Sequence, residues 1–156
     1  MLITLMLWSS GIISEPHFYI SGYLEDNRDK YISSMRNVSE NDDWEGWCLF
    51  FLKAVEKQAM RNLTVAENIR DLYEEMKVIF ADTLSSKWGV IALDYIFTYP
   101  VFKNNKFTNN SGIPKTTAKR FTRVLVERGL ITVLEESSGR TSALYSFEPL
   151  MQLVEV

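Results

Sequence analysis

Apolar residues recur along most of this chain at the three- and four-residue spacing of helices, and only near its end does the pattern shorten to alternation. Residues 2–8 are apolar nearly all round, as in a helix enclosed by neighbours. Gly11 suits the position after its last turn, and Pro16 blocks immediate continuation. We read this run as the end of a buried helix whose beginning is missing. Ser21 is placed to cap a polar helix reaching Asn37, with Tyr23, Leu24, Tyr31 and Met35 as its buried stripe. Asn41-Asp42-Asp43 predicts a turn and a helix start, after which Trp44, Trp47, Cys48, Phe51 and Val55 share a face expected to pack in a core. Thr64 and Glu67 have the spacing of a capping box, so a further helix is expected there. Its buried face would carry Ile69, Leu72, Tyr73, Met76, Ile79 and Phe80 as far as Thr83.

Leu84-Ser85-Ser86 marks a change of pattern, and we expect domains at 1–84 and 85–156. Residues 88–99 predict a helix stopped by Pro100, and residues 104–111 a short polar helix whose one large apolar side chain is Phe107. Gly112-Ile113-Pro114 reads as a turn, and residues 115–128 as a helix ended by Gly129. Residues 130–134 alternate like a strand, 137–140 form a turn, 143–147 return, and 150–154 make a short last helix. Helix, helix, turn, helix, hairpin is the order of a winged helix. The expected class is therefore mainly α: an all-α segment followed by a winged helix-turn-helix of three helices plus a β-hairpin wing.

Composition changes this picture in two respects. Cys48 is the single cysteine and His17 the single histidine, which excludes an internal disulfide and a structural zinc site of about four ligands. A reducing cytoplasm is the simplest compartment. The formal net charge of −3 also hides an asymmetry, because residues 1–83 carry −6 and residues 84–156 carry +3. An anionic partner is expected on the basic half. No membrane partner is expected: residues 1–13 lack a basic leading segment and are too short for a span of roughly 20 apolar residues. A secretory signal is the alternative reading of that run.

The sharpest local motif is Gly112-Ile113-Pro114-Lys115-Thr116-Thr117-Ala118-Lys119-Arg120. A helix-turn-helix needs glycine at its tight turn, an apolar residue just after it, and a small residue inside the second helix. Gly112, Ile113 and Ala118 fill those places. At about 100° per residue, Ala118, Phe121 and Leu125 share one face, with Thr116, Lys119, Arg120 and Arg123 opposite. Such a helix packs by one side and presents donors and positive charge on the other, as a recognition helix in a major groove requires. Candidate DNA-binding residues are Lys115, Thr116 and Lys119 toward phosphates, Arg120 and Arg123 toward guanine, and Arg140 at the tip of the wing. The same module also serves as a protein-interaction or regulatory surface. The short polar helix before the turn weighs against tight docking.

Two further stretches carry a resemblance. Tyr19-Ile20-Ser21-Gly22-Tyr23-Leu24-Glu25-Asp26-Asn27-Arg28-Asp29-Lys30-Tyr31 and Asp43-Trp44-Glu45-Gly46-Trp47-Cys48-Leu49-Phe50-Phe51-Leu52 follow the apolar run in order. Together they resemble the carboxy-terminal part of Fic-family proteins, in which similar segments succeed the catalytic loop and a winged helix commonly closes the chain. The resemblance implies a parent activity: transfer of AMP from ATP, with magnesium, onto a hydroxyl of a target protein. It also implies that this chain holds no catalytic residue and no cofactor itself. The family's His-x-Phe-x-Asp/Glu-Gly-Asn-Gly-Arg loop is absent, and His17 has no such context. Ile32 stands beside Tyr31 where the family often has a second tyrosine near the adenine. Tyr23, Glu25 and Arg28 are read as structural. The expected partners are double-stranded DNA, the parent enzyme's target protein, or a second copy meeting through the apolar first helix. A truncation or a split gene would account for the missing loop.

Overall fold

A computed structural model describes residues 2–14, 20–139 and 141–154. His17, Tyr19 and the candidate wing residue Arg140 lie outside the described residues. The elements are α1 (Leu2–Ser9), α2 (Ser21–Asp26), α3 (Arg28–Asn41), α4 (Trp44–Leu84), α5 (Gly89–Thr98), β1 (Val101–Lys103), α6 (Asn104–Asn110), α7 (Lys115–Glu127), β2 (Thr132–Glu135), β3 (Leu144–Ser146) and α8 (Glu148–Val154). The chain is mainly helical with a small three-stranded antiparallel sheet, in the class expected. Its contacts divide it into two compact units, Met1–Thr64 and Val65–Val156. That division falls inside α4, whereas the composition shift lies at its end.

The first unit is built on aromatic contacts. Tyr31 of α3 meets Trp47 and Phe50 of α4 at ring-centroid distances of 5.9 and 6.4 Å, and Tyr23 of α2 lies 6.4 Å from Phe50. Gln58 of α4 is buried with both polar atoms bonded: its Oε1 accepts from the Tyr23 backbone N–H at 3.0 Å, and its Nε2 donates to Asn62 at 2.9 Å. Asp42 closes α3 in the left-handed conformation, and Asp43 Oδ1 accepts the Gly46 N–H at 2.9 Å, which satisfies an orphan donor of α4. The predicted turn and helix start are therefore in place.

Several expectations for this half are corrected. The polar helix is two elements, α2 and α3, broken at Asn27, and Ile20 rather than Ser21 precedes the first turn without a side-chain cap. Thr64 caps nothing, because α4 runs unbroken for 41 residues. Its hydroxyl instead donates back to the Met60 carbonyl at 3.2 Å, the ordinary alternative for a mid-helix threonine. Trp44 and Cys48 are exposed, as is Met35, so only part of each predicted stripe packs. Helix α1 is not enclosed either: Thr4 is buried, but Met6 is 61% and Trp8 49% exposed, since no described element covers that face.

The second unit holds a contiguous core. Met76, Phe80 and Leu84 of α4 join Leu93 and Ile96 of α5, Phe107 of α6, and Ala118, Phe121 and Leu125 of α7. Ile69, Leu72, Tyr73 and Ile79 pack partly against it, so the predicted face of α4 is the one used. The strand β1 was not anticipated. It pairs with β3 (Phe102 opposite Tyr145), β3 pairs with β2, and the sheet order is β1-β3-β2. Phe102 is buried and its ring lies 5.5 Å from Phe107, so the strand leads the chain directly into α6.

Tyr73 joins α4 to α5 by donating to Asp94 Oδ1 at 2.6 Å. That hydrogen bond, aided by burial and the carboxylate charge, pushes the phenol up from 10.0 to about 12. The fold favours the neutral phenol, so its contribution is complete below pH 10.0 and is lost as pH rises through about 12. Denaturant unfolding should show stability falling across this window, and Tyr73→Phe should reduce that fall. At neutral pH the variant should be less stable by about 1 kcal/mol, discounted for partial exposure. An identical pH dependence in both proteins would contradict this assignment.

Candidate nucleic-acid interface

The turn between α6 and α7 is fixed by local chemistry. Gly112 has φ +76°, a left-handed conformation that favours glycine. Ile113 follows it into the core, and Ser111 Oγ accepts the Ile113 N–H at 3.4 Å. Pro114 then supplies the extended residue before Lys115. Gly129, at φ +68°, ends the other side of α7.

Within α7 the two predicted faces separate. Ala118, Phe121 and Leu125 are fully buried, and Thr122 joins them with its hydroxyl 3.3 Å from Asn104 Oδ1. Lys115, Thr116, Lys119, Arg120 and Arg123 are all exposed. They are not equally available. Arg120 donates from Nη2 to the Leu84 carbonyl at 3.4 Å, closing the C-terminal end of α4, and its guanidinium lies 5.3 Å from the Phe121 ring. Arg123 has only an exposed ion pair with Glu127 at 3.7 Å, a contact of little energetic weight. Lys115 and Lys119 line a depression with residues of α6 and with Ser142.

The expected short polar helix is present as α6, and it is better anchored than its composition suggests. Phe107 is fully buried, with Tyr95 at 5.2 Å and Phe102 at 5.5 Å between ring centroids. The Asn104 N–H donates to the Ala143 carbonyl and the Asn105 N–H to Ser142 Oγ, both at 2.9 Å. Sequence reasoning missed Asn104, Asn105 and Ser142. The only available signal was the asparagine-rich run, whose spatial partner lies far along the chain.

No protein-family model matches this sequence. Among the described residues, no group of His, Cys, Asp or Glu is arranged to hold a metal ion, and no helix is long and apolar enough to cross a membrane. The chemistry this surface offers is hydrogen-bond donation and positive charge from a helix whose other side is locked in a core.

The two arginines should separate experimentally. Arg120→Ala should lower the stability of the second unit by about 1 kcal/mol, because a carbonyl at a helix end loses its partner. Arg123→Ala should stay within about 0.5 kcal/mol of the parent. Equal losses in denaturant unfolding would remove the structural role given to Arg120.

Proposed function

We propose that the Val65–Val156 unit is a winged-helix module that binds duplex DNA through the exposed face of α7. The observation that carries this reading is the division of α7 into a fully buried apolar face and a face bearing Lys115, Thr116, Lys119 and Arg123. The element order α5, β1, α6, α7, β2, β3 and the sheet order β1-β3-β2 support it. In this proposal Arg123 reaches into the major groove, Lys115, Thr116 and Lys119 hold backbone phosphates, and Arg120 chiefly braces α4.

For the chain as a whole, we propose a non-catalytic carboxy-terminal region of a Fic-type AMP-transferase, acting in the cytoplasm. In that reading ATP and magnesium belong to the family's catalytic loop, whose motif does not occur in these residues. The motif-bearing segments support this reading, since rings from one, Tyr23 and Tyr31, pack on Trp47 and Phe50 of the other. A second reading is a protein-interaction surface, for a target protein or another copy. It is favoured by exposed Met6, Trp8, Leu49 and Leu52 in the first unit.

Binding to a pool of random duplex DNA at about 50 and 200 mM salt tests the first proposal. The expected result is affinity roughly tenfold or more weaker at the higher salt, and lost in Lys119→Ala/Arg123→Ala. No binding at low salt, or binding indifferent to the double substitution, would leave the protein-interaction reading as the better account.

A further inference from the structure

We infer that the depression between α6 and α7 is a phosphate-binding site, a proposal that deepens the DNA reading and takes a backbone phosphodiester as its occupant. The depression has a volume of about 330 Å3, and no carboxylate lines it. Its wall includes Asn104, Asn105, Asn109, Lys115, Lys119 and Ser142. Neither lysine is ion-paired among the described residues.

The hydrogen bonds already made leave donor groups of these wall residues unused. Ser142 Oγ accepts the Asn105 N–H at 2.9 Å, so its own proton remains to be donated. Thr122 Oγ1 is within reach of both the Lys119 carbonyl at 3.1 Å and Asn104 Oδ1 at 3.3 Å, with one proton for the two, and the Asn104 amide NH2 has no partner among the described residues. Thr108, also in the wall, spends its proton on the Asn104 carbonyl at 2.8 Å. Two cations and several neutral donors around a hollow without acid match an oxyanion rather than a cation or an apolar ligand. The start of α6 is tied to the residues before β3, through Asn104 to Ala143 and Asn105 to Ser142. A free phosphate group has the same chemistry as the phosphodiester, and the experiment separates the two sources.

Asn105→Asp is the informative variant. It is nearly isosteric, it places a carboxylate in the hollow, and an acid in the first turn of α6 does not disfavour the helix. Lys115→Gln, at an exposed position, is the second variant. With the full chain and a random duplex, each should weaken binding several-fold and reduce the slope of log affinity against log salt by about one, while Arg123→Ala changes affinity independently. If both pocket variants bind DNA like the parent while Arg123→Ala is impaired, the phosphate site is overturned and the DNA reading stands. If the parent binds no duplex, the DNA reading fails, and inorganic phosphate decides the site. Amide shifts at Asn105 and Lys119 on adding phosphate, abolished by Asn105→Asp, would keep it as a site for a free phosphate group. No such shifts would overturn it.

Discussion

The burial of one face of α7 is the constraint from which the rest of the second unit follows. Phe121, Leu125 and Ala118 have no exposed surface, and Phe80, Phe107 and Phe147 around them have none either. Truncating any of these large side chains in so filled a core removes transfer energy and leaves a void, typically a loss of about 3–5 kcal/mol for Phe→Ala. Rotating a helix held this way would expose that face and open the core. The face that carries Lys115, Lys119 and Arg123 is therefore a consequence of core packing, and no separate device is needed to orient it. The turn at Gly112 sets the start of α7, and the brace from Arg120 to Leu84 joins its outer edge to the end of α4.

The first unit has a different balance. Its aromatic contacts are made by half-buried rings, and among its described residues few side chains are buried, namely Thr4, Ile20, Ala54 and Gln58. Met6, Leu7, Trp47 and Phe51 surround a hollow of about 460 Å3. Met6, Trp8, Leu49 and Leu52 add exposed apolar surface to this unit. The enclosed helix expected from residues 2–8 is not found, because Leu5, Met6 and Trp8 are exposed in the described fold.

The parts legible in sequence were those decided locally. The Gly112 turn, α7 with its Gly129 end, the hairpin strands and the face of α4 from Ile69 to Phe80 all follow from residue type and spacing. What escaped depended on distant partners or on a tie between local signals. Strand β1 is three residues long and exists because β3, more than forty positions on, offers it a ladder. Thr64-x-x-Glu67 satisfies both a cap and a helix interior, and continuity of the backbone ladder decided for the interior. Trp44 fell on the apolar side of the periodicity, yet its indole N–H donates to Asp42 at 2.9 Å on the surface. Within the candidate site, the exposed cations were readable from the helical wheel. The use of Arg120 on a helix end and the hollow shared with Ser142 required the fold.

The central claim is that one side of one helix, fixed by its core, is the surface a nucleic acid meets. Mapping backbone amide shifts of the labelled chain on adding duplex DNA tests it most directly. The account predicts changes concentrated on α7 from Lys115 to Arg123 and on the facing residues of α6, with the first unit unmoved. Changes confined to residues 2–64, or none at all at low salt, would contradict it.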